Sequence, residues 1–326
     1  MEFRGGFGMT WRIRRASLHD LDALAALCRA SVGPDDYVLH YLEWELLHSV
    51  VRVALDDDGR IVGMAVYRPC IDGSGWLAMA RTHPDHRREG VNRAILDTMV
   101  GMARTSRVPF LRLWTDASNA DGVAAFRAGG FREVARFARV HGPSARGTLR
   151  AGPRSFDEDL ARQVESSPIV RDGRGYVAHD WGFVPATRST VFAVAARGAL
   201  RAWGRNLIAV PDMRGHDIPD LLEVRLWAGE PEALFEEACR QAAAAGRSQV
   251  GTYIPHARDL LQGARRAGFE TIDWGAEAIL CELAVPPSDI RKRTRPTYGE
   301  LAAKRGGHTH GNTHGNDALG WARWNR

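Results

Sequence analysis

The pattern of apolar and polar positions is clearest between residues 76 and 102. The apolar run 76–82 has the length of a strand, and it ends near Pro84, which has no N–H to donate to a sheet. Further along, apolar residues recur at helical spacing, at Val91, Ile95, Met99 and Met102. The pattern therefore predicts a strand, a turn and a helix in succession.

Similar patterns predict the order β-α-α-β-β-β-α-β-α-β for the first 140 residues. The predicted strands are 11–15, 50–55, 61–67, 76–82, 110–116 and 133–140. The predicted helices begin near Ser17, Tyr37, Val91 and Asn119. The segment 56–59, Asp-Asp-Asp-Gly, is a strong hairpin turn signal between the second and third strands. This order predicts a mixed α/β sheet flanked by helices.

The second half of the chain resembles a degraded copy of the first. Leu149-Arg150 follows Ile13-Arg14 by 136 residues, and Ala267-Gly268-Phe269 follows Gly129-Gly130-Phe131 by 138 residues. Between these points we predict strands at 175–184, 190–196, 221–227 and 249–254, and helices at 156–164, 231–245 and 256–267. The repeat predicts two tandem domains of one architecture.

Composition changes this picture little. A chain of 326 residues with 44% hydrophobic residues is long enough for two globular domains. Its four cysteines are far apart and suggest reduced thiols in a cytoplasmic protein, with no metal site: Cys28, Cys70, Cys239 and Cys281. No apolar run approaches the length of a membrane helix, about 20 residues, so no membrane span is expected.

Charge is concentrated at the C-terminus. Residues 287–326 carry eight Lys or Arg and three Asp or Glu, whereas the rest of the chain is neutral. We expect a disordered, solvated tail, with possible contact to nucleic acid, lipid or an acidic partner through 291–305. Three of its histidines could hold a transition metal only weakly: His308, His310 and His314.

The turn before the third predicted helix has the chemistry of an anion site. Arg87 and Arg88 precede Gly90, and the helix N-terminus adds unpaired N–H groups and the positive end of its dipole. Gly90 lets the backbone approach a ligand closely. Two guanidinium groups at such a place favour a phosphate or pyrophosphate.

Two motifs resemble those of the GNAT superfamily of acyl-CoA-dependent N-acyltransferases. The segment 87–92, Arg-Arg-Glu-Gly-Val-Asn, is similar to its Q/R-x-x-G-x-G/A motif, and 82–85 fits the preceding strand end. Residues at the spacing of its N-x-x-A-x-x-x-Y-x-x-x-G-F segment are Asn119, Gly122, Phe126, Gly130 and Phe131. Two departures are Asn92 in place of a small residue and Phe126 in place of the tyrosine that often protonates the departing thiolate.

The resemblance implies that acetyl-CoA lies along the central strand and gives its acetyl group to an amine. The implied cofactor contacts are Ala80, Thr82, Arg87, Arg88, Glu89, Gly90, Val91, Asn92, Asn119 and Phe126. Candidate bases are Glu43 and Glu45, on the helix that borders the acceptor in this family, and Asp116, at a strand end. We expect surface or packing roles for His40 and His83.

The second domain is expected to shape the acceptor site without binding a cofactor. Its equivalent turn, 228–232, has no Arg, and Glu230 and Glu232 repel a phosphate. Its aromatic residues could line an acceptor pocket or belong to the core: Trp181, Phe183 and Trp203. A non-catalytic, GNAT-derived acyl-CoA-binding or regulatory protein is the alternative function.

The predicted domain boundaries follow from these patterns. The order is an extension over 1–9, a GNAT-like domain with the acyl-CoA site over 10–142, a breaker-rich linker over 143–154, a degenerate GNAT-like domain over 155–286 and the basic tail.

Overall fold

A computed structural model describes residues 2–4, 10–210, 218, 220–272 and 276–286. The tail predictions, including 291–305 and its histidines, lie outside the described residues. The strands are β1 (Glu2–Arg4), β2 (Thr10–Arg15), β3 (Val50–Leu55), β4 (Ile61–Pro69), β5 (Gly75–Thr82), β6 (Phe110–Asp116), β7 (Arg132–Pro143), β8 (Gly152–Pro153), β9 (Tyr176–His179), β10 (Gly182–Pro185), β11 (Leu200–Trp203), β12 (Asn206–Ala209), β13 (Leu221–Glu223), β14 (Arg225–Ala228), β15 (Gln249–Pro255), β16 (Glu270–Thr271) and β17 (Ala278–Ala284). The α-helices are α1 (Leu21–Ser31), α2 (Leu42–His48), α3 (Val91–Thr105), α4 (Ala120–Ala128), α5 (Glu158–Glu165), α6 (Pro168–Asp172), α7 (Arg188–Ala196), α8 (Pro231–Ala244) and α9 (Arg258–Arg266).

The first half has the predicted order of elements. Strands β2, β3, β4 and β5 form an antiparallel meander, and β6 joins β5 in parallel. Helices α1 and α2 pack on one face through Leu24, Leu27 and Leu42, whereas α3 packs on the other through Val91 and Ile95. The prediction of a mixed sheet flanked by helices is confirmed.

The two halves share one continuous sheet because their last strands are exchanged. Strand β17, from the end of the described chain, lies between β6 and β7, and β7 pairs on its other side with β15. Ala278 of β17 pairs with Asp116 of β6, Phe137 of β7 pairs with Pro255 of β15, and Ala278 and Phe137 pair with each other. The two halves are therefore paired in a nearly symmetric way. Each half therefore completes the sheet of the other.

The strand pairing of the second half repeats that of the first. Strands β8, β11, β12 and β14 form a four-stranded antiparallel sheet, and β13 pairs in parallel with β15 as β5 does with β6. An insertion between α6 and β11 has no counterpart in the first half, and it consists of the hairpin β9–β10 and the helix α7.

One prediction of local structure was wrong, and a second segment has more structure than its sequence indicated. The apolar run 190–196 was predicted as a strand, but it forms most of the helix α7. The Thr187 hydroxyl caps this helix by accepting from the Thr190 N–H. The segment predicted as a linker, 143–154, contains β8, which pairs with β11. In the described part of the chain, no helix combines the length and apolar character needed to cross a membrane.

Candidate functional site

A slot opens between β5 and β6. The two strands pair only at Gly75 with Leu111 and at Trp76 with Arg112, and then diverge. Within β5, Met79 has a left-handed φ of 55°. Met79 and Ala80 together lie opposite a single residue of β4, which makes this a β-bulge. This bulge turns the backbone of β5 toward the slot.

The carboxyl end of β5 has backbone carbonyls that already accept hydrogen bonds from side chains. The Arg81 guanidinium donates to the Ala80 carbonyl at 2.9 Å, and the Ser31 hydroxyl donates to the Thr82 carbonyl at 3.0 Å. A carbonyl oxygen can accept a second hydrogen bond. The Thr82 hydroxyl is buried, and it has no hydrogen-bond partner among the described residues.

The basic turn at the start of α3 is held in place by contacts with neighbouring elements. Trp11 donates its indole N–H to the Glu89 carbonyl at 3.1 Å, and the Glu89 carboxylate is bonded to His86. Gly63 lies under the first turn of α3, where a Cβ would stand 2.3 Å from Val91. The turn is therefore held close to the sheet before any ligand arrives.

Left-handed backbone gives this turn its shape. Arg88 has φ 67° and Gly90 has φ 84°, and Gly90 is the N-cap of α3. Such a turn directs successive N–H groups toward one point, and the first N–H groups of α3 have no partner within the helix. An anion can therefore be bound there by the backbone.

The two arginines of the turn have different surroundings. The Arg87 guanidinium donates to the Ser31 carbonyl at the end of α1, at 2.8 Å. Arg88 is exposed, and no hydrogen bond or ion pair involves its side chain in the part of the chain that the structure describes. Arg88 is therefore the guanidinium that is available to a ligand.

Helix α4 lies beside the slot on the same face as α3. Asn119 caps it by accepting from the Gly122 N–H at 3.1 Å, and donates to the Thr115 hydroxyl at 3.0 Å. Phe126 packs against the first core and lies edge-on to Phe131, with ring centroids 6.0 Å apart. Phe126 has no proton to donate.

The three candidate bases have unlike environments. Glu43 is exposed on α2. Glu45 is fully buried and forms an ion pair with Arg68, whose Nη2 lies 3.9 Å from the Met79 sulfur. Asp116 accepts hydrogen bonds from the N–H and the hydroxyl of Ser118, in the turn that leads into α4.

The equivalent region of the second half is bonded to other parts of the protein. Strand β13 pairs with β15, and on the following strand β14 the Arg225 side chain donates to the Asp180 carbonyl and the Trp227 side chain to the Ala178 carbonyl of the hairpin β9–β10. At the following turn, the Asn206 side chain accepts from the Glu230 N–H at 3.0 Å. This backbone N–H at the start of α8 is thus already used within the protein.

The aromatic residues named from the sequence have different positions. Phe183 is buried and stacks on Phe137, at 4.1 Å between ring centroids. Trp203 packs against the core of the second half. Trp181, at the tip of the hairpin, lies against Tyr41 of the first half, with ring centroids 6.2 Å apart.

The slot, the bulge and the basic turn at a helix N-terminus together have the geometry and charge that suit a ligand bearing phosphates. Residues 18–131 match the model of the acetyltransferase (GNAT) family. The match identifies a GNAT domain in this segment, which is about a third of the chain. No curated protein sequence matches the chain.

Three solved structures share the fold over most of the chain. A proposed acetyltransferase from Thermoplasma acidophilum is 16% identical, with a TM-score of 0.58, and covers 84% of this chain and 99% of its own. A proposed acetyltransferase from Pyrococcus horikoshii is also 16% identical, with a TM-score of 0.54 and coverage of 88% and 92%. A GCN5-related N-acetyltransferase from Sphaerobacter thermophilus is 15% identical, with a TM-score of 0.53 and coverage of 85% and 96%. The likeness in fold thus extends beyond residue 131.

Proposed function

We propose that the chain transfers an acetyl group from acetyl-CoA to an amine, with the acetyl-CoA held in the first half. The observation that carries this proposal is the slot between β5 and β6, which leads to the preformed basic turn at the start of α3. The family match over 18–131 supports it, since it includes both the slot and the turn.

The pyrophosphate is bound by the turn over 87–92. Arg88 supplies the free guanidinium, and the N–H groups of Val91 and Asn92 point outward from the first turn of α3. Arg87 acts by holding the turn against α1. The Glu89 charge is partly offset by its bond to His86, so the local balance favours an anion.

The pantetheine arm lies along β5, where Ala80 and Thr82 offer backbone groups at the slot. Asn119 and Phe126, on α4, border the other side of the arm. Because Phe126 is apolar, its contribution is packing against the arm and the exclusion of water. We therefore propose that solvent water protonates the departing thiolate.

The reaction is direct transfer. The amine nitrogen bonds to the thioester carbonyl carbon, the C–S bond breaks, and CoA leaves as a thiolate. A backbone N–H near the Met79 bulge stabilises the developing oxyanion. The ammonium proton passes to a base, and water protonates the thiolate, because Phe126 cannot.

The base is proposed among Glu45, Glu43 and Asp116, in that order. Glu45 is joined through Arg68 to the Met79 side chain, so it is connected to the bulge. Glu43 faces solvent, and Asp116 is bonded to Ser118. The pH profile of kcat for Glu45→Gln against that of Glu43→Gln tests this order.

The second half is proposed as a GNAT-like domain that does not bind acetyl-CoA. With this assignment, the first domain ends near residue 142 and the second begins near residue 155. The repeated strand order supports the resemblance, and the hairpin bonded to β14 supports the loss of binding. Asn206 and Glu230 occupy its turn.

The test of the proposed function is thiol release from acetyl-CoA in the presence of a panel of amines. We expect release that depends on both the amine and the chain. Tight binding of acetyl-CoA without release for any amine would favour the non-catalytic alternative. A lack of binding would refute the acetyl-CoA site itself.

A further inference from the structure

A buried polar pair lies on the face of the sheet that carries α1 and α2. Arg139 on β7 and Tyr253 on β15 are direct cross-strand neighbours, 6% and 3% exposed. The Arg139 Nε and the Tyr253 hydroxyl are buried, and neither has a hydrogen-bond partner in the described part of the chain. Buried donors are normally paired, so this pair points to a group that the described residues do not supply.

The charges around this pair do not balance. Glu223 accepts from Arg139 at 3.0 Å and also pairs with Arg225, so two buried guanidinium groups share one buried carboxylate. Arg225 is further bonded to the Asp180 carbonyl, whereas Arg139 lies over the rings of Trp181 and Tyr253, 5.5 and 5.6 Å away. Among the described residues, these contacts leave one buried positive charge in excess, which favours an anionic ligand.

The tyrosine is suited to donate to that ligand. Burial raises the pKa of Tyr253 to about 12, so its hydroxyl keeps its proton at neutral pH. The neighbouring His141 has its pKa lowered by burial, so its imidazole is neutral there and adds no second cation. The cluster therefore presents a guanidinium and a phenol as two donors.

A row of aromatic rings leads from this cluster to the surface, and one of its members adjoins the helix that carries Glu45. Tyr37 is 40% exposed and lies 6.4 Å from Tyr41, which in turn lies 6.2 Å from Trp181. Tyr41 immediately precedes α2, the helix that carries Glu45. Its carbonyl accepts from the Glu45 N–H at 2.9 Å, and Glu45 pairs with Arg68, which contacts the Met79 sulfur in the bulge.

We propose that Arg139 and Tyr253 bind a carboxylate of the acceptor, and that the acceptors are amines that also carry a carboxylate, such as amino acids. This inference rests on the proposed function, since it assigns the acceptor of that reaction. A guanidinium N–H and a phenol O–H pair with carboxylate oxygens in charge-assisted hydrogen bonds. A neutral amine would leave both donors unpaired, which selects against it.

The test uses reaction products, so it requires no turnover. Binding of N-acetyl derivatives of phenylalanine, leucine, glutamate and lysine is measured by calorimetry, each beside its α-carboxamide. We expect at least one acid to bind about tenfold or more tightly than its amide, the difference of roughly one charge-assisted hydrogen bond.

Two variants test whether the preference for acids over amides arises at Tyr253. Tyr253→Phe should reduce it about tenfold without lowering the thermal midpoint, because the hydroxyl it removes has no partner. Tyr176→Phe is the matched control, since the Tyr176 hydroxyl donates to Glu282 at 2.8 Å on the same face. The control should leave the preference for acids unchanged.

Equal affinity for acids and amides, no binding of any acid, or an unchanged preference in Tyr253→Phe would overturn the inference. The outcome for the proposed function can be told apart from the outcome for this inference. Preferred binding of acids without acetyl transfer would retain the carboxylate site and refute the enzyme, whereas acetyl transfer to amines with no preference for acids would do the reverse.

Discussion

Replacing Arg88 by glycine separates ligand binding from folding at the basic turn. Arg88 is exposed with φ 67°, so glycine removes the guanidinium while relieving left-handed backbone that costs about 1 kcal/mol in other residues. Glycine also adds about 0.5–1 kcal/mol of entropy to the unfolded chain, so the free energy of unfolding should change little.

The effect on acetyl-CoA should be large. A charge-assisted hydrogen bond to phosphate contributes about 1.5–3 kcal/mol, so Arg88→Gly should raise the Kd of acetyl-CoA roughly 10- to 150-fold. Arg87→Ala should have a smaller effect on affinity, because Arg87 already donates to the Ser31 carbonyl. Isothermal titration calorimetry measures both changes.

The chain offers a matched control at the other end of α3. Arg107 is an exposed arginine with φ 57°, so Arg107→Gly makes the same change in charge and backbone away from the turn. Its Kd for acetyl-CoA should equal that of the unmodified protein. Equal affinities of Arg88→Gly and Arg107→Gly would refute the assignment of the pyrophosphate to the turn.

Three further predictions concern the joint between the halves, pH and the leaving group. Arg112→Leu should lower the free energy of unfolding by about 3–5 kcal/mol in a urea titration, because it leaves the partly buried carboxylates of Asp72 and Glu282 without their buried cation. A loss below about 1 kcal/mol would contradict a stabilising role for the exchange of strands. Burial lowers the pKa of His179 below its ordinary 6.5, so the unfolded chain takes up this proton first and stability is lost as the pH falls below 6.5. His179→Gln should reduce the loss in urea midpoint between pH 7.5 and 5, and an unchanged loss would exclude this group as its source. Phe126→Tyr should change kcat less than about tenfold in steady-state assays, because water suffices to protonate a thiolate; a rise above about 100-fold would show that the enzyme lacks an acid.

The local chemistry of the site could be predicted from the sequence because it is carried by neighbouring residues. A strand end, two arginines and Gly90 before a helical apolar pattern determine the turn without knowledge of the rest of the fold. What the sequence did not show is which arginine is free, since the bond of Arg87 to Ser31 joins residues 56 apart. The Met79 bulge likewise depends on the register between β4 and β5.

The exchange of β7 and β17 could not be predicted from the sequence. Both strands contain several apolar residues, and the pattern along a strand does not reveal which neighbours it pairs with. The helix α7 was missed for another reason. Its run of valines, alanines and Phe192 is short and apolar, a pattern that a buried strand also shows, and the Thr187 cap was the signal that distinguishes them.

The number of acetyl-CoA molecules bound per chain tests the central claim most directly. Calorimetry should give one site, which Gly90→Val abolishes because a β-branched residue strains the turn at φ 84° and obstructs the ligand. Glu230→Gln, at the equivalent turn of the second half, should leave affinity and stoichiometry unchanged, since Asn206 already occupies that turn. Two molecules per chain, or one molecule whose binding survives Gly90→Val, would contradict the assignment of the cofactor to the first half.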